Sequence, residues 1–100
     1  MKISFSDSAI SDLQNIKDYY VEEGVPEIGS GFISSIFERV ETLIDNPDIG
    51  RIVPEFNELH IRELIHPPFR IIYMREKKTI QIVRVWRSER LLALPEAQMK

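Results

Sequence analysis

The chain contains no cysteine, which excludes disulfides, thiolate metal sites and a thiol nucleophile and fits a reducing cytoplasm. It has no apolar run of the ~18 residues that a membrane helix requires. Its start, MKISFSDSAI, lacks the apolar stretch of a signal peptide. The sequence also holds no GxGxxG, no P-loop, no HExxH and no GxSxG, so the common signatures of nucleotide binding and hydrolysis are missing. Histidine occurs only as His60 and His66. With no carboxylates converging on them, both read as surface histidines near a turn, and neither a metal site nor a cofactor is expected.

What remains is one domain. One hundred residues at 43% apolar fill a single modest core, and a domain this small gains from a partner that adds buried surface. The net charge of −3 argues against a generic nucleic-acid binder. It hides an asymmetry. Residues 1–50 carry three bases (Lys2, Lys17, Arg39) against ten acids, and residues 51–100 carry ten bases against six acids. An acidic helical half and a basic sheet half form a directional pattern.

Ile3 and Phe5 alternate with polar neighbours, so Lys2–Phe5 reads as a short strand. Ser6 is a candidate N-cap and Asp7 suits the positive end of a helix. Ala9, Leu13, Ile16 and Tyr20 then fall on one helical face, predicting an amphipathic helix from Asp7 to Glu23, ended by Gly24. Pro26 opens a second helix with a broad apolar stripe through Phe32, Ile36, Val40 and Leu43, stopped at Asn46–Pro47. Gly29 and Gly31 weaken its first turn unless the helices approach closely there. The short link makes the two helices an antiparallel hairpin.

Arg51–Pro54 is extended but contains Pro54, so it is an edge piece or a bulge. Leu59–Ile65, Phe69–Arg75 and Thr79–Trp86 are strands, the last so rich in Ile and Val that it should be central, and the last two form a hairpin. Ser88–Leu94 is ambiguous, and Pro95–Lys100 reads as a short terminal helix or a frayed end. Grouped helices and grouped strands give an α+β fold: an N-terminal strand and a helical hairpin packed on one face of an antiparallel sheet of three to four strands.

The arginines carry the chemistry. Arg62, Arg70 and Arg84 fall inside strands, and Arg87 and Arg90 follow. An arginine in an apolar strand must be paired or face water. Two readings stand: a face that binds phosphate or carboxylate of a partner, or internal salt bridges to Glu55, Glu63 or Glu89. Trp86 reads as core or as a stacking surface. Tyr73 reads as core with a polar tip. Straight alternation sets Arg70 opposite Tyr73 and puts Arg84 with Trp86, Ile80 and Ile82.

The order of Ala9-x-x-Asp12-Leu13-x-x-Ile16-x-x-Tyr19/Tyr20, Gly24-Val25-Pro26, Phe32, Asn46-Pro47-x-x-Gly50-Arg51, Pro54-Glu55, Ile61-Arg62-Glu63-Leu64, Phe69-Arg70-Ile71-Ile72-Tyr73 and Arg84-Val85-Trp86-Arg87-x-x-Arg90-Leu91 resembles the RelE/ParE superfamily of type II toxin–antitoxin modules. The resemblance covers roughly residues 2–92. It implies a cytoplasmic growth inhibitor held in a toxin–antitoxin hetero-oligomer by a cognate antitoxin, whose disordered, usually acidic segment orders as it wraps the toxin. ParE-like members poison DNA gyrase by binding. RelE-like members cleave mRNA on the ribosome, which would make Arg70, Glu55 and Arg87 the catalytic residues. A third possibility is an inactive member that only binds antitoxin. Arg62, Arg70, Arg84, Arg87, Arg90 and Trp86 are the implied anion or partner contacts. Cleavage needs groups that move protons. Trp86-Arg87 stands where many RelE-like relatives carry a histidine, no tyrosine follows Tyr73, and residues 51–75 hold no lysine. Arginine is a poor proton shuttle because its pKa lies above ~12. The expectation is therefore the ParE-like, non-nuclease branch.

Overall fold

Ser6 fixes the start of the first helix. Its backbone is extended, and its hydroxyl accepts the Ala9 N–H at 3.0 Å, satisfying one of the free donors of a helix start. Asp7 follows in the first turn, where its charge meets the positive helix end. The structure is a computed structural model and describes residues 1–87. Its elements are β1 (Lys2–Phe5), α1 (Asp7–Glu22), α2 (Pro26–Glu41), β2 (Arg51–Ile52), β3 (Ile61–His66), β4 (Phe69–Arg75) and β5 (Thr79–Arg87). Arg90, and the C-terminal stretch expected to be a short helix or a frayed end, lie outside the described residues. Among the described residues no helix is long and apolar enough to cross a membrane.

The two helices form the expected hairpin. A Cβ on Gly29 would stand 3.0 Å from the Cβ of Tyr20, so glycine there permits the close approach of α2 to α1. Gly31 has no such neighbour. α2 ends at Glu41, short of the Asn46–Pro47 break, where the Thr42 hydroxyl donates to the Arg39 carbonyl at 2.6 Å. Leu43, past the helix, is still fully buried.

The sheet has five strands in the order β1-β5-β4-β3-β2, which corrects the expected three to four. The difference comes from the first strand, which joins the sheet. β1 lies parallel to β5 with Ile3 beside Ile80 and Phe5 beside Ile82, and every other pairing is antiparallel. β5 therefore has neighbours on both sides, as its Ile/Val content predicts. β2, only two residues long, closes the other edge. Leu13, Ile16, Ile36 and Val40 from the hairpin pack on Ile71, Tyr73, Ile80 and Ile82 to form the core.

A β-bulge sets which face each arginine occupies. Ile72 pairs with Arg84, but Tyr73 pairs with Ile82, so Val83 is an extra residue on β5. Residues paired across strands point to the same side. Ile80 and Ile82 thus join the helix-side core, as does Val85 beyond the bulge. Arg84 and Trp86 point to the outer face with Ile72 and Arg70. Straight alternation, which grouped Arg84 and Trp86 with Ile80 and Ile82, is corrected by the bulge, which keeps Arg84 with Trp86 and parts both from the two isoleucines. Arg62 pairs with Tyr73 and so takes the helix side.

Candidate functional site

Arg70 lies mid-sheet on the outer face, with Ile65 across from it on β3 and Trp86 on β5. Its Nε donates to Glu63 Oε1 at 2.6 Å, and its terminal nitrogens reach the two Glu55 oxygens at 3.4 and 3.3 Å. The second oxygen of Glu63 accepts from Arg51 Nε at 2.5 Å. Glu63 is 1% exposed and Arg70 is 5% exposed. Such burial is tolerable only because each charge meets an opposite one with good geometry. β2 brings Arg51 beside Glu63, and the loop after it lays Glu55 over Arg70. The four side chains sum to zero charge.

The protonation states follow. The hydrogen bond from Arg70 holds the Glu55 carboxyl below the ordinary carboxylate range. Burial pulls the Arg70 pKa down, but the bonds to Glu55 and Glu63 outweigh it, and the net shift is upward. Within this cluster, one group stays ionised as a base too weak to hold a proton, and the other does not release one.

Arg84 is held at the margin of β5. Its Nε and Nη2 donate to Asp12 of α1 at 2.8 and 2.9 Å, which raises its pKa, and its guanidinium lies 5.0 Å from the centre of the Trp86 ring, a cation–π geometry. Arg87, on the helix side, donates to the Tyr20 hydroxyl at 2.8 Å and sits 5.6 Å from the Phe69 ring centre. Tyr20, Phe32 and Phe69 continue as ring contacts at 5.5 and 5.2 Å, tying the end of β5 to both helices.

A third cluster anchors the loop before β2. The Tyr73 hydroxyl donates to the Pro47 carbonyl at 2.9 Å and accepts the Gly50 N–H at 3.0 Å. Burial raises the Tyr73 pKa. Arg62 donates to the Gly50 carbonyl at 2.9 Å, and Arg75 Nε to Asp48 at 2.8 Å.

The outer face therefore gathers Arg70, Arg84 and Trp86, with Glu55 and Arg51 reaching it, while Arg62 and Arg87 face the helices. His66 bonds to Ser35 at 3.1 Å, and His60 stands 3.6 Å from the Glu58 carboxylate. Neither histidine joins the Arg70 cluster. No group of three or more metal-ligating side chains occurs among the described residues. Sequence reasoning named Glu55 and Glu63 as possible internal partners, and both pair with Arg70. It missed Asp12 and Asp48. For Asp12 a signal exists: it sits between Ala9 and Ile16 on the apolar stripe of α1 and is 9% exposed, a position that a carboxylate occupies only when something pairs with it.

This architecture matches known toxins. A family model for the ParE toxin of the type II toxin–antitoxin system parDE matches residues 3–92. The solved "Chromosomal ParDE TA system from P. aeruginosa" is similar with a TM-score of 0.73 and 29% identity, over 87% of this chain and 95% of that one. No curated protein sequence matches. On the strength of the family match across nearly the whole of the described fold, the chain belongs to the ParE toxins of type II toxin–antitoxin systems.

Proposed function

We propose that this toxin inhibits growth by binding DNA gyrase, without cutting nucleic acid, and is neutralised in the cytoplasm by a cognate antitoxin. The observation that carries this reading is the Arg70 cluster. Of the residues that a nuclease reading assigns to catalysis, Arg70 is buried between two carboxylates, and Glu55 is held ionised by it. Cleavage at a 2′-hydroxyl needs one group to accept a proton and another to give one. Arg70 and Glu55 at neutral pH supply no general acid, and Arg87 is engaged with Tyr20 on the opposite face. An internally neutralised sheet suits a protein that acts through shape.

Purified toxin added to gyrase and relaxed plasmid is expected to block supercoiling or to trap cleaved DNA. Full supercoiling at saturating toxin would overturn the gyrase reading. New mRNA 5′ ends at the ribosomal A site would support the nuclease alternative instead.

A further inference from the structure

We propose that Arg70 is a carboxylate-binding site on the outer face of the sheet, that Glu55 occupies it in the free toxin, and that an acidic side chain of the target protein takes the place of Glu55 on binding. The inference rests on the gyrase reading for its partner and adds to it a contact and an exchange.

The two carboxylates hold Arg70 unequally. Glu63 Oε1 accepts from Nε at 2.6 Å and lies 2.5 Å from Nη2, and the Glu63 side chain is wholly buried. Glu55 meets the terminal nitrogens only at 3.4 and 3.3 Å, with its side chain 56% exposed. Every residue from Pro54 to His60 is exposed, so burial does little to pin the segment that carries Glu55. An ion pair with one partner in water contributes little to stability. Leaving a buried guanidinium without an acceptor is costly, whereas exchanging one carboxylate for another keeps the charge matched. Arg70 keeps its place through the exchange, because Glu63 retains its Nε, and it keeps its proton.

The surroundings select the ligand. Ile65 and Trp86 flank Arg70 directly across on β3 and β5. Ile65 is 42% exposed and Trp86 is half-buried. With Glu55 withdrawn, Arg51 and Arg70 set two positive charges against the one negative charge of Glu63. A guanidinium fork beside an indole and an aliphatic side chain has the composition of an interface anchor. It fits an Asp or Glu flanked by apolar residues. The occupant already there is a carboxylate engaged through both oxygens. The net charge of −3 opposes approach to a phosphate backbone, which favours a protein side chain over nucleic acid.

The test has two arms. In the first, full-length toxin is titrated at constant ionic strength with acetate or with dimethyl phosphate, both monoanions, and the Arg70 Nε–H is followed by NMR. In Glu55→Gln, acetate should act at a concentration about threefold to fivefold lower than in the wild type. The Arg84 Nε–H, held by Asp12, should not move. No response at Arg70 in Glu55→Gln, or an equal one at Arg84, overturns the site. Dimethyl phosphate acting at lower concentration than acetate overturns the protein ligand in favour of nucleic acid.

The second arm measures affinity for gyrase by calorimetry. Glu55→Gln should tighten binding by about threefold to fivefold. Ile65→Glu sets a competing carboxylate beside Arg70 at an exposed position and should weaken binding by at least about tenfold, with unchanged thermal melting. If gyrase binds the wild type and both variants alike, the Arg70 contact is overturned and the gyrase reading survives. If wild-type toxin does not bind gyrase, the gyrase reading fails and takes the named partner with it, while the acetate titration alone decides the site.

Discussion

Asp12 accepts the backbone N–H of Val85 at 2.9 Å, at the point where β5 runs on beyond the end of β1. A strand that outlasts its neighbour exposes an unpaired edge, and here a helix carboxylate takes the place of the missing strand. The same carboxylate holds Arg84. Asp12→Ala orphans a buried donor and a guanidinium together and is expected to cost about 2–3 kcal/mol. Asp12→Asn keeps an acceptor and should cost about half as much. Urea unfolding midpoints at constant slope measure both, and equal losses for the two variants would show that only the charge matters.

The carboxylates around Arg70 differ in burial, and so should their variants. Glu63 is fully enclosed between Arg51 and Arg70, whereas the Glu55 side chain is 56% exposed. Glu63→Ala leaves Arg70 buried without its main counter-ion and is expected to cost about 3–5 kcal/mol. Glu55→Ala should cost under about 1 kcal/mol, because solvent screens that pair. The same unfolding assay reads both, and similar costs would contradict the geometry.

Two groups make stability fall with acid, in separate windows. Burial, helped by Arg39, lowers the His66 pKa below its ordinary 6.5. The unfolded chain then binds a proton first, so the His66 contribution is complete above that value and is lost as pH falls through the lower folded value. Glu55, lowered below 4.5 chiefly by Arg70, behaves the same way one window further down. Stability measured from about pH 7 to 3 should decline in both windows. His66→Gln should flatten the upper one, and a rise in stability below pH ~6.5 would have the wrong sign.

Glycine substitutions should split by position. An added Cβ at Gly50 would fall 2.7 Å from the Glu63 carbonyl and from the Tyr73 ring, so Gly50→Ala should cost more than about 2 kcal/mol. At Gly31, inside α2, nothing lies within 4 Å, and Gly31→Ala should stabilise by about 1 kcal/mol. Thermal melting of both variants decides, and a stabilising Gly50→Ala would refute the packing of Tyr73 against the Gly50 turn.

Local signals made much of this fold legible. The Ser6 cap, the stripe of α1, the alternation in β4 and the close approach at Gly29 each rest on residues a few positions apart. The misreadings come from long-range relations. Nothing near Lys2 says that its strand will lie beside Thr79, so the strand count came out low. The bulge at Val83 leaves no mark in the run IQIVRVWR, and it reverses which neighbours Arg84 keeps. The candidate site was half readable: Arg70 stood out, and its two carboxylates were among the partners considered. That Asp12 would reach Arg84 depended on a helix lying over a strand end 72 positions away.

The pairing of β1 with β5 has a consequence in time. The Ser6 hydroxyl donates to the carbonyl of Val83 across 77 positions, so the first strand finds its place only when the last has been made. During synthesis the acidic hairpin emerges first with its apolar face uncovered, and the sheet closes on it at the end.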